Sequence, residues 1–305
     1  MKISVEIKTN AILMVLFITG CANSVVVAQT YPEITIPNTE LRPMQSKILG
    51  QELNLYIKLP ASYRVDEQRI YPVMYATDAN RSFAMLANIL FVVESPAVDY
   101  TDVVLIGIGY KLSGLADWAR WRTRDLTPVN VPATDQYWSD LLTKMTGQPM
   151  EVKSGGAEKF LDCIINEVIP FTESSYRISK TDRALGGYSY GGLFSLYALF
   201  KHPETFQKYF AGSPSIGFGN GILFDMENES AGGRTDLNVQ LFMTAGSLEG
   251  ESMTGNVRKM TEQLQSRNYP GLKVSYQVFD NEDHRSCYPT ALMRAIREFY
   301  WRPKK

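Results

Sequence analysis

Residues 182–200 constrain this chain more than any other stretch. Asp182-Arg183-Ala184-Leu185-Gly186 reads as a short strand, Gly187-Tyr188-Ser189-Tyr190-Gly191 as a sharp turn, and Gly192-Leu193-Phe194-Ser195-Leu196-Tyr197-Ala198-Leu199-Phe200 as an apolar helix. The glycines fit a turn whose serine is held in a strained backbone, with neighbours packed too close to admit a β-carbon. The helix that follows aims its first backbone N–H groups at any negative charge forming beside the serine.

The rest of the chain repeats the strand–helix rhythm. Strand-like runs are read at Leu53–Leu59, Tyr71–Ala76, Val103–Ile108, Ala184–Gly187, Tyr209–Ala211, Val239–Ala245 and Val274–Phe279. Helical stretches are read at Ala84–Glu94, Ala157–Ile169, Gly191–Lys201, Asn256–Arg267 and Pro289–Tyr300. Such alternation predicts an α/β fold, a mainly parallel sheet with helices on both faces and an early antiparallel strand at Leu53–Leu59. The site is then expected in loops at the carboxyl ends of the strands. Two stretches break the rhythm: Lys111–Gly156, rich in aromatic and polar residues, and Ile216–Asp236, rich in glycine and acids. Both are read as long loops, of the kind that form lids or binding walls.

A serine hydroxyl becomes a useful nucleophile when a base takes its proton, and histidine is the usual base near neutral pH. The chain has two histidines, His202 and His284. His202 lies thirteen residues after Ser189 on the same helix, which puts it roughly 20 Å away at about 1.5 Å per residue. It is read as part of the helix end at His202-Pro203. His284 remains as the base, and it falls where a strand–elbow–helix fold puts its histidine, after nucleophile and acid.

A length of 305 residues suffices for one α/β domain with a large core. The net charge of −1 and the lack of a basic run argue against a nucleic-acid partner. Cys163 and Cys287 form no disulfide framework, and two histidines with no metal-ligand cysteine spacing leave a metal or other cofactor unexpected. At the N-terminus, Lys2 and Lys8 precede the apolar run Ala11–Thr19, too short to span a bilayer. Residues 1–28 therefore read as a cleaved signal peptide, leaving a single catalytic domain at 29–305. Val26-Val27-Ala28 suits ordinary signal peptidase, while Ile18-Thr19-Gly20-Cys21 resembles a lipobox that would end the signal at residue 20 and attach the protein to a membrane through lipidated Cys21. Both readings put the mature protein outside the cytoplasm. Oligomeric state is left open.

Four motifs together resemble the Putative esterase branch of the α/β-hydrolases, close to its bacterial siderophore-esterase-like members: Tyr71-Pro72-Val73-Met74-Tyr75-Ala76-Thr77-Asp78, Arg122-Thr123-Arg124-Asp125-Leu126-Thr127-Pro128, Gly187-Tyr188-Ser189-Tyr190-Gly191-Gly192 and Asp283-His284. The likeness runs from about Leu53 to Tyr300 and implies an α/β-hydrolase fold with an insert after the fourth strand. It implies a serine esterase acting on a small-molecule ester through an acyl-enzyme, with Ser189 as nucleophile and His284 as base. An acyltransferase with the same residues is the alternative, and a binding protein on this scaffold would show a broken triad. By the same resemblance, the oxyanion donors are the backbone N–H of Tyr190 and one from the loop after Tyr71–Ala76, with Asn80 ahead of Ala79. Ala79 departs from the family, which often has glycine after the aspartate.

The triad acid should follow the strand Val239–Ala245. Asp225 precedes that strand, and Asp283 adjoins His284, where neighbouring side chains diverge. Of Glu249 and Glu251, Glu249 is favoured, because Gly246-Ser247-Leu248-Glu249 matches the turn that carries the family's acid. Some siderophore esterases of this family use only a Ser-His dyad. Arg122 and Trp121 are candidate substrate contacts, since a guanidinium fork suits paired oxygens and an indole stacks on aromatic acyl groups. Arg122 and Arg124 could equally sit in buried ion pairs, the favoured reading, and the tryptophans could simply pack the insert.

Overall fold

The computed structural model describes residues 35–94 and 99–302; the signal-peptide and lipobox readings lie outside them. Tyr71–Ala76 shows why the sheet is covered on both sides. Val73 and Tyr75 enter one apolar cluster, Met74 and Ala76 the other, and all are buried. Successive side chains point to opposite faces of a strand, so a strand apolar at every position needs a helical layer on each side. Val104, Ile106 and Ile108 against Leu105, and Leu241 and Met243 against Phe242, repeat the pattern.

The strands are β1 (Thr39–Ser46), β2 (Gln51–Lys58), β3 (Tyr71–Ala76), β4 (Val104–Tyr110), β5 (Ile178–Tyr188), β6 (Lys208–Gly212), β7 (Gln240–Gly246) and β8 (Lys273–Phe279). They form a sheet in the order β1-β2-β4-β3-β5-β6-β7-β8. β1 pairs antiparallel with β2 and β2 with β4; every other pairing is parallel. The helices are α1 (Ala79–Val93), α2 (Leu115–Asp125), α3 (Pro132–Thr146), α4 (Ala157–Cys163), α5 (Ile169–Ser175), α6 (Tyr190–Lys201), α7 (Ile222–Ala231), α8 (Glu251–Ser266) and α9 (Cys287–Tyr300). Helices α1 and α9 supply the apolar residues on one face, while α4, α6 and α8 cover the other. Among the described residues no helix is long and apolar enough to cross a membrane.

Three features differ from expectation. Lys111–Gly156 is not a loop. It holds α2 and α3, which close a small core of Ala116, Ala119, Leu142 and Val152 packed against Trp118, Trp138 and Met150. Likewise Ile216–Asp236 contains α7, with Leu223 and Glu227 buried. Glu227 takes an ion pair from Arg267 at 2.7 Å, so an acid read as loop polarity is a packed internal contact. The edge strand β1 was not expected; most of its residues are exposed, and its register with β2 holds it in place.

Candidate active site

Ser189 occupies the single residue between β5 and α6, with φ 59° and ψ −116°. A non-glycine residue adopts positive φ only when its surroundings force it. Here the force is the packing of β5 against α6. A β-carbon on Gly187 would collide with the Gly191 backbone and Thr77 Oγ1, and one on Gly191 would lie 2.5 Å from Thr77 Oγ1. The Ser189 N–H donates to Gly212 O at 2.8 Å, anchoring the turn to β6. The first backbone bond inside α6 runs from Leu193 N–H to Ser189 O, so the Tyr190 N–H precedes any intrahelical partner.

The Asn80 reading is more divided. The first bonds of α1 run from Arg81 and Ser82 N–H to Asp78 O, and the helix has no side-chain cap, so the Asn80 N–H likewise precedes the first internal bond. The Asn80 side chain is structural. Its amide donates to Tyr110 O at 2.8 Å and accepts from Tyr110 N–H at 2.8 Å, closing the end of β4.

Glu249 and His284 come together from the ends of β7 and β8. His284 Nδ1 lies 2.5 Å from Glu249 Oε1, and the Glu249 side chain is 3% exposed. With Nδ1–H donated to the carboxylate, Nε2 is left as an acceptor. Burial disfavours the Glu249 charge, but donation from His284, the Gly246 N–H and the Ser213 hydroxyl outweighs it and holds the carboxyl below its ordinary range. His284 is fastened to the elbow through Tyr188, whose hydroxyl donates to His284 O at 2.8 Å and whose ring lies 5.1 Å from the imidazole. Burial pushes the Tyr188 phenol well above its ordinary range, so it stays a donor. Ser189 Oγ lies 3.5 Å from Ser215 Oγ. Among the described residues Ser189 and His284 are not hydrogen-bonded to each other; such contacts are commonly long before a substrate binds. Leu248, Ser252, Met253 and Arg285 join Glu249 and His284 around an open pocket of about 540 Å³.

The competing acids have other work. Asp283 accepts from the N–H groups of Arg285 and Ser286 at 2.7 and 2.9 Å, just ahead of α9. Glu251 points into solvent at the start of α8, 3.3 Å from Arg258. His202 ends α6 and pairs with Glu204, as a helix-end residue should.

The substrate-contact reading of Arg122 is corrected. Its guanidinium is buried and turned inward, meeting Asp78 through Nε at 3.0 and 3.1 Å and through Nη2 at 2.9 Å. It also packs over Trp118 and Tyr190 at 4.8 and 4.9 Å. The fork is occupied by a carboxylate of the protein itself. Asp78 is therefore a residue of this region that the sequence did not single out: it sits at φ 57° ahead of α1 and joins the insert to the turn between β3 and α1. Trp121 packs against the main core beneath Arg120 and Arg124, at 4.7 and 4.6 Å. Arg124 in turn holds Asp125 at 2.6 Å, and Thr127 receives the Gly155 N–H at 2.8 Å, so the Arg-x-x-Asp-Leu-Thr-Pro segment acts as a latch for the insert. Ser213 was also missed; only its place after a strand, in Gly212-Ser213-Pro214-Ser215, hinted at it.

The profile of the family described as Putative esterase matches residues 46–296. The ferri-bacillibactin esterase BesA of Bacillus subtilis is 30% identical over 271 residues, covering 86% of this chain and 90% of that protein. The siderophore enterobactin esterase of Emericella nidulans is 38% identical over 149 residues, covering 48% of this chain and 47% of that protein. Among solved structures, the BES protein of Bacillus cereus superposes with a TM-score of 0.73 at 27% identity, covering 90% of this chain and 100% of that one.

Proposed function

The chain belongs to the Putative esterase family and is a serine carboxylic-ester hydrolase resembling the siderophore esterases, and from that premise we propose that Ser189, His284 and Glu249 carry the reaction and that a siderophore ester is its substrate. The observation that supports the catalytic assignment best is the 2.5 Å His284–Glu249 contact, joined through Tyr188 to the elbow carrying Ser189. It fixes one imidazole tautomer and leaves the other nitrogen free to accept a proton.

Ser189 Oγ attacks the ester carbonyl while His284 Nε2 takes its proton. The carbonyl oxygen gathers charge before the N–H groups of Tyr190 and Asn80, each worth about 3 kcal/mol in this role. Collapse expels the alcohol, which receives the proton from His284, and water then releases the acid from Ser189 by the same route in reverse. Glu249 stays ionised and stabilises the imidazolium.

The substrate reading rests on relatives named for ferri-bacillibactin and enterobactin. Export of the mature chain, with or without lipidation of Cys21, rests on the sequence of residues 1–28. The test is a panel of p-nitrophenyl esters of rising chain length beside a tri-catechol trilactone and a feruloyl sugar. The trilactone should give the highest kcat/KM, and Ser189→Ala should lose on the order of 10⁴-fold or more in turnover. A better feruloyl sugar would remove the substrate assignment, and an active, folded Ser189→Ala would remove the nucleophile.

A further inference from the structure

Ser213 follows β6 and is buried, with φ 35°, a backbone region that costs a non-glycine residue free energy. Its N–H donates to Thr244 O at 2.9 Å, so the strained residue is pinned between β6 and β7. The hydroxyl has one proton. Glu249 Oε2 lies 2.7 Å away, the Tyr188 hydroxyl 2.9 Å away. A carboxylate is the stronger acceptor, and the Tyr188 proton is already given to His284 O, so the Ser213 proton belongs to Glu249.

The geometry divides the carboxylate between two tasks. Oε2 receives Ser213 Oγ and the Gly246 N–H, the latter at 2.6 Å; Oε1 is left to face His284 Nδ1 at 2.5 Å. Two donors on one oxygen fix the rotation of the carboxyl plane, and that rotation decides where the imidazole sits. A backbone amide can anchor the end of the carboxyl but cannot by itself choose its rotation. The second donor is the Ser213 hydroxyl, 2.7 Å from Oε2 on a residue held at φ 35°.

We infer that Ser213 is a positioning residue for the esterase reaction: its hydroxyl fixes the Glu249 carboxylate so that Oε1 holds His284 in the productive tautomer and orientation. The inference rests on the Ser189–His284–Glu249 reading.

Two substitutions separate hydroxyl from backbone. Ser213→Ala removes the hydroxyl and keeps the strain, while Ser213→Gly removes both, because glycine accepts positive φ freely. Losing a hydrogen bond to a charged group should lower kcat about 10- to 100-fold in both variants. KM should stay within about twofold, and Ser213→Gly should melt no lower than Ser213→Ala, because glycine relieves the positive-φ strain that alanine keeps. Ser213→Gly decides the matter where Ser213→Ala does not fold. Full activity in Ser213→Gly with loss in Ser213→Ala would assign the effect to backbone geometry and overturn the inference, as would full activity in both. Glu249→Gln, measured alongside, keeps the readings apart. If Glu249→Gln is impaired and the Ser213 variants are not, Ser213 alone is wrongly assigned. If Glu249→Gln is itself fully active, the triad reading falls and this inference with it.

Discussion

Arg122→Met should unfold the protein more than it weakens substrate binding. Methionine keeps an apolar stem that can pack on Trp118 and Tyr190, but it leaves Asp78 without its partner. The wild-type pair makes three N–H···O contacts between 2.9 and 3.1 Å, with side chains 9% and 6% exposed. At that burial solvent screens little, and removing one member of a buried pair costs about 3–5 kcal/mol. At about 2–4 °C per kcal/mol for a domain near this size, Tm should fall by roughly 10 °C. The same change should lower kcat, because Asp78 sets the start of α1, where the Asn80 N–H is presented. Arg122→Lys should recover only part of the stability, since an ammonium restores the charge without the fork. Urea unfolding monitored by tryptophan fluorescence, run beside steady-state kinetics, measures both effects. A stability loss below about 1 kcal/mol together with a raised KM would mean that the guanidinium serves the substrate, and the structural assignment would be wrong.

His284→Ala should be as damaging as Ser189→Ala, and the double variant no worse than either, because nucleophile and base act as a unit; His202→Ala should keep wild-type kcat, and the reverse pattern would exchange the two histidines. Glu249 has its carboxyl held below the ordinary value of 4.5, so its contribution to stability is complete above that pH and is lost as the pH falls through the lower folded value. Wild type should therefore lose more unfolding free energy as the pH falls below 4.5 than Glu249→Gln does; parallel curves would contradict the sign. Mass spectrometry of the mature N-terminus should find either a diacylated peptide beginning at Cys21 or a free start at Gln29, and an intact signal segment in the natural host would refute export.

The parts of the fold that were legible were those where burial and chain direction agree. Val73, Met74, Tyr75 and Ala76 are apolar because both faces of β3 are covered, and that run reads as a strand without further information. β1 has no such signal. Glu40, Arg42 and Pro43 mark an edge strand whose outer side meets water, and pairing with β2, not burial, makes it a strand. The insert misled for another reason. Lys111–Gly156 carries Trp118, Trp138 and Met150 among charges, and its apolar residues divide between the main core, with Leu126 and Trp121, and a private core too small to impose a clear period on the sequence.

At the site, Ser189 was legible because the elbow needs glycine at set positions, and His284 because the chain offers so few histidines. Glu249 was narrower, one of two acids in a short turn, and its contact with His284 depends on the β7–β8 pairing that no local pattern encodes. Asp78 and Ser213 were out of reach for the same physical reason. Each is a common polar residue at the end of a strand, and its meaning lies in a positive φ and in a partner 44 or 36 positions away. A guanidinium fork in the sequence looks the same whether it awaits a ligand or already holds one of the protein's own carboxylates. Only the fold distinguishes them, by turning Arg122 inward against the loop that presents Asn80. The insert is thus tied to the turn between β3 and α1 by a buried charge pair, and on the proposed assignment of the Asn80 N–H a change in the insert that loosened Arg122 would reach the reaction without touching the substrate.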